Sequence, residues 1–129
     1  MIGVDTNIIV RLLTRDDDTQ FQKALKLFQQ ENIFITKTVF LETEWVLRYA
    51  YDFTPVQIVD ALEKLAGLSQ VTTESAFQVA QALAWFRGGL DFADALHLAG
   101  TAGQVSCFAT FDRKLAKNAD NADCRVTLL

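Results

Sequence analysis

Short apolar stretches of β type recur along this chain between long segments of helical pattern, and that alternation constrains the fold more than any other feature. The strong stretches are residues 2–4, 33–36 and 105–110, with a weaker one at 125–128. Between them Phe21, Leu25 and Phe28 recur at three- and four-residue steps, and Phe40, Val46 and Leu47, with Trp45 beside them, mark another helix. Thr54-Pro55 is an N-cap followed by Pro at the first helical position, ahead of Ile58, Leu62 and Leu65. Residues 74–86 and 91–102 read as further amphipathic helices, closed by Gly88-Gly89 and Gly103, and 113–118 as a short polar one. Strands separated by helices of this length do not pair as hairpins, so the expectation is an α/β fold on a mainly parallel sheet.

The chain has 129 residues with one Pro and six Gly, and shows no linker, low-complexity stretch or internal repeat. A single domain over 1–129 is expected, large enough to bury a core without disulfides. Its apolar stretches are too short to span a bilayer, and no basic segment leads into an apolar one, so the expected location is cytoplasmic, with no membrane partner. Cys107 and Cys124 lack CxxC spacing and suit free thiols. A net charge of −4 and a pI near 4.8 argue at first sight against nucleic acid. Yet if five of the 16 acids belong to one metal site, 11 remain against 12 Lys plus Arg. The acidity is then a property of the site.

Those five carboxylates recur at strand and helix ends. Asp5 follows the first strand, and Glu42 lies early in the helix of "TKTVFLETEWVL". Asp91 and Asp94 are three apart at the start of the helix in "GGLDFADALHLAG", and Asp112 follows the strand in "CFATFDRKLAK". In a parallel sheet these positions share the carboxyl-terminal edge, where α/β proteins bind ligands. Clustered carboxylates raise one another's pKa unless a cation compensates, and oxygen-only donors select Mg²⁺ or Mn²⁺. Phosphodiester hydrolysis is the natural reaction. Taken singly each acid has a plainer explanation: Asp5 and Asp91 as N-caps, Asp112 in a turn, Glu42 and Asp94 as solvated helix residues.

The four blocks "MIGVDTNIIVRLL", "TKTVFLETEWVLR", "LDFADALHLA" and "CFATFDRKLAK", in this order, resemble the PIN-domain ribonucleases and, within them, the VapC toxins of toxin–antitoxin pairs. The resemblance implies a three-layer α/β/α sandwich on a central, mainly parallel sheet. It makes Asp5, Glu42, Asp94 and Asp112 the catalytic acids holding Mg²⁺, for which Mn²⁺ substitutes, with Asp91 as a further acid close to the metal. It gives Asn7 and Thr110 supporting roles. The implied activity is RNA hydrolysis by a metal-activated water. The implied partners are a VapB-type antitoxin, a second copy in a homodimer, and DNA only indirectly through the antitoxin. The alternative is a catalytically weak module that completes a DNA-binding repressor complex. A phosphohydrolase with an Asp nucleophile is disfavoured, because the second Asp it needs is Asn7 here.

Other residues invite roles. His97 lies three after Asp94 but is better explained by packing or hydrogen bonding on its helix. Arg113, Lys114 and Lys117, or Arg11, Arg15 and Arg48, could meet RNA phosphates, although solvated charge suffices for any one. Asp16-Asp17-Asp18 reads as a capping turn. Trp45, Trp85, Phe40, Tyr49, Tyr51 and Phe86 are assigned to core or interface packing ahead of base stacking.

Overall fold

The computed structural model describes residues 1–119 and 124–129. It divides into two compact units, Met1–Ala76 and Phe77–Leu129.

The first unit is built on a parallel sheet in the order β1-β2-β3, formed by β1 (Ile2–Gly3), β2 (Ile33–Ile35) and β3 (Val71–Thr73). Ile2 pairs with Ile33, and Ile33 in turn with Val71, which fixes the register. As the central strand, β2 buries Ile33 and Ile35 completely. Each crossover carries two helices: α1 (Thr6–Thr14) and α2 (Asp18–Gln30) after β1, then α3 (Lys37–Ala50) and α4 (Pro55–Ala66) after β2. Their starts follow from local chemistry. Asp17 caps α2 by accepting from the Gln20 N–H at 3.0 Å, and Thr54 and Gln57 form a reciprocal capping box on α4. The Asp triplet is therefore a capping turn, as expected. The buried face of α2 is Phe21, Ala24 and Phe28, with Leu25 only half-buried. β3 was not expected, because "VTT" carries a single strong apolar residue, and pairing with β2 supplies the rest.

The second unit holds α5 (Ala76–Arg87), α6 (Phe92–Thr101), β4 (Phe108–Thr110), α7 (Arg113–Asn118) and β5 (Val126–Leu128). β4 and β5 pair in parallel, Phe108 opposite Val126. The turn from α5 to α6 uses Gly89 at φ 114°, a backbone state that side chains avoid. Phe86 and Phe92 pack across that turn with ring centroids 5.5 Å apart, and Phe92, Ala95 and Leu98 are wholly buried. β4 is shorter than expected, since Val105 is largely exposed and does not join it. Every strand pair among the described residues is parallel, and the α/β expectation holds.

Candidate active site

The acids of the first unit meet at a cleft of about 440 Å³ between α1 and α3. Asp5, Thr6, Asn7, Val10 and Arg11 line one wall, and Glu42, Val46, Ala50 and Tyr51 the other. Chain geometry explains both walls. β1 ends at Gly3 and α1 begins at Thr6, so Asp5 falls on the N-cap and accepts from the Thr6 N–H at 2.7 Å. On α3, capped by Thr36, the residues Glu42, Val46 and Ala50 follow one another at four-residue steps along one face.

Thr6 links the two acids. Its backbone N–H donates to Asp5 Oδ1, and its buried hydroxyl donates to Glu42 Oε1. Sequence reasoning passed over Thr6, although its place between Asp5 and Asn7 was the available signal. Among the described residues Asp5 Oδ2 and Glu42 Oε2 accept no hydrogen bond. Each carboxylate thus has one oxygen fixed and one left to meet a ligand. Asn7 lines the same cleft.

The far end of the cleft is held by a polar network. Arg11 Nη1 donates to Asp16 Oδ1 at 2.9 Å and to the Tyr51 hydroxyl at 3.1 Å, while its Nε donates to Gln20 Oε1 at 2.6 Å. Tyr51 donates to Asp16 Oδ2 at 2.5 Å, and Thr14 Oγ1 to Asp16 Oδ1 at 2.9 Å. The Tyr51 hydroxyl is the main cause holding the Asp16 carboxyl below the usual carboxylate range and raising the Arg11 guanidinium. Of Arg11, Arg15 and Arg48, only Arg11 lines this cleft. Arg15 lies over the Phe21 ring, and Arg48 pairs with the buried Glu44 at 3.0 Å.

In the second unit Asp91 is the N-cap residue of α6, but its side chain makes no capping hydrogen bond. Asp94 lies in the first turn of that helix. Partial burial is the main cause pushing its carboxyl up, followed by the charges of Asp91 and Asp112, with His97 opposing them. Asp112 caps α7 by accepting from the Leu115 N–H at 3.1 Å, and its own N–H donates to Thr110 Oγ1 at 3.0 Å. Thr110 thus supports Asp112, and His97 is exposed next to the acids. Arg113, Lys114 and Lys117 are exposed on α7.

Among the described residues no group of three or more His, Cys, Asp or Glu side chains is gathered to hold a metal ion. Asp5 and Glu42 meet through Thr6 in one unit, and Asp94 feels the charges of Asp91 and Asp112 in the other. The packing assigned to the aromatic residues holds in part. Phe40, Trp85 and Phe86 are buried, whereas Trp45 and Tyr49 are 58% and 61% exposed, their ring centroids 5.2 Å apart and their planes tilted by 50° on α3. Cys107 and Cys124 are both free thiols.

Parallel strands, two-helix crossovers and acids at the ends of β1 and β4 place the chain among α/β proteins whose carboxylates sit where strands give way to helices. The model of the PIN domain family matches residues 2–121, and the chain belongs to that family, a family of nucleases that typically use divalent metal ions. No curated protein and no solved structure matches it. Among the described residues no helix is long and apolar enough to cross a membrane.

Proposed function

We propose that this PIN-domain nuclease is the Mg²⁺- or Mn²⁺-dependent endoribonuclease toxin of a VapBC-type pair. It acts in the cytoplasm as a homodimer, is restrained by a VapB-type antitoxin, and meets DNA only through that antitoxin. Asp5, Glu42, Asp94 and Asp112 are its metal-holding acids, with Asp91 as an additional one. The observation that carries the reading is that the family match spans residues 2–121 and takes in every one of these acids.

The donor chemistry agrees with it. All five side chains offer oxygen alone, the donor type of hard divalent cations. Asp5, Glu42 and Asp112 each keep one carboxylate oxygen without a hydrogen bond among the described residues. A divalent cation held by these acids would polarise the phosphodiester and acidify a water. The chain itself fixes Asp5 Oδ1 and Glu42 Oε1 through Thr6, and sets Asp112 at the head of α7.

The test is cleavage of total cellular RNA by the purified chain with Mg²⁺, with Mn²⁺ and with EDTA, beside Asp5→Asn and Asp94→Asn. Discrete metal-dependent fragments that vanish in both variants are expected. Cleavage that survives in either variant overturns the assignment, and silence of the wild type in every lane shifts it to the repressor-complex module.

A further inference from the structure

The cleft between α1 and α3 has a direction. Its carboxylates, Asp5 and Glu42, lie near the starts of the two helices, and Arg11 and Tyr51 lie near their ends. At 1.5 Å per residue, Arg11 lies about 9 Å along α1 from Asp5. It is the one cation among the described residues that line the cleft.

Arg11 is also held in place. Nη1 donates to Asp16 and Tyr51 and Nε to Gln20, while Nη2 donates no hydrogen bond among the described residues. The side chain is 31% exposed, and Nη2 is the guanidinium nitrogen left to donate to a ligand. A charged donor whose plane is fixed by a carboxylate, a phenol and an amide is organised in advance for an anionic oxygen. Without such a cation, an acidic cleft would repel the strand on either side of the bond being cut.

We infer that Arg11 binds a phosphodiester of the RNA strand next to the one that is hydrolysed, so that the cleft receives single-stranded RNA along its length. This rests on the ribonuclease reading above and adds to it the direction of the bound strand and the residue that anchors it.

The test measures binding of a fluorescein-labelled single-stranded RNA of mixed sequence by anisotropy over a range of KCl, with Mn²⁺ present. It uses the full chain carrying Asp94→Asn to suppress cleavage, with Arg11 intact, Arg11→Gln or Arg11→Lys. Loss of one phosphate contact lowers the slope of log K against log salt by about 0.7 on single strands. Arg11→Gln is expected to show that drop with weaker binding, and Arg11→Lys to recover most of the slope. Tyr51→Phe serves as the structural comparison, since it loosens the network but keeps the cation. If Arg11→Gln and Tyr51→Phe lower thermal stability alike and neither changes the slope, Arg11 is a strut and the inference fails. Cleavage of RNA by the wild type alongside an unchanged slope in Arg11→Gln sinks the anchor alone. A wild type that neither binds nor cleaves RNA sinks both.

Discussion

Replacing Thr6 by Val removes one hydroxyl and changes little else. Valine is close to threonine in size, keeps the backbone N–H that donates to Asp5, and suits a position that is only 5% exposed. What goes is the hydrogen bond to the Glu42 carboxylate. A hydrogen bond to a charged group contributes about 1.5–3 kcal/mol. Glu42 is exposed, so water replaces the lost donor in the resting protein, and the stability cost should stay near or below about 1 kcal/mol. Water does not fix where the carboxylate points. If catalysis needs Glu42 held in one place, the full value is lost at the transition state, a fall of about 10- to 100-fold in kcat/KM. The assay is cleavage of a fluorogenic RNA across a Mn²⁺ titration, paired with urea unfolding followed by circular dichroism. Thr6→Ser, which restores the donor, should recover most of the activity and lower the Mn²⁺ concentration needed for half-maximal rate. A folded Thr6→Val that cleaves within about twofold of wild type would refute the reasoning.

Phe92→Ala should cost about 3–5 kcal/mol in urea unfolding, because the ring is wholly buried and faces Phe86; a loss under about 1.5 kcal/mol would mean the core there is open. Thr54→Ala removes one half of a capping box and should cost about 1 kcal/mol, while Thr54→Ser should cost much less. The Asp94 carboxyl is raised above its usual 3.8, so the folded state holds a proton that the unfolded state has lost, and stability falls as pH rises through that window. Asp94→Asn should therefore be more stable than wild type at neutral pH without metal, and should lose that advantage below about pH 3. Asp16 carries the opposite sign: its carboxyl is lowered from 3.8, so its stabilising share is present above that value and disappears as pH falls further. Tyr51→Phe should flatten that acid limb of the stability profile, measured as urea midpoints between about pH 5 and pH 2.

Residue types and spacing were enough to read the strands at Ile33 and Phe108 and most of the helices, because their apolar residues repeat with the period of the element. β3 escaped because its strand character comes from a neighbour 38 residues earlier in the register, Ile33 opposite Val71. The places of Asp5, Asp91 and Asp112 at helix starts were legible, since each follows a strand or a glycine turn within apolar surroundings. What holds them was not. Thr6 is an ordinary helix-start residue until Glu42, 36 residues on, is placed against its hydroxyl. Arg11 was one of several candidate cations, and its distinction is the Asp16–Tyr51 network, which joins residues 35 apart. Trp45 and Tyr49 show the converse limit: helical spacing and aromatic character suggested core or interface packing, and spacing alone did not separate the two, since both rings lie outside the chain's own core on the exposed face of α3.

Asp5 and Asp112 each serve as the cap of a helix, α1 and α7. A lineage that gave up hydrolysis would still be under pressure to keep a capping side chain at both positions, because losing one costs about 1 kcal/mol of fold stability. Persistence of these two letters in a relative is therefore weak evidence that it still cuts anything. Glu42 caps nothing: it sits in the second turn of α3, exposed, with the Thr6 hydroxyl as its partner among the described residues. Folding places little demand on that glutamate, so if Glu42 serves the reaction proposed for it, position 42 is where inheritance of the activity and inheritance of the scaffold come apart.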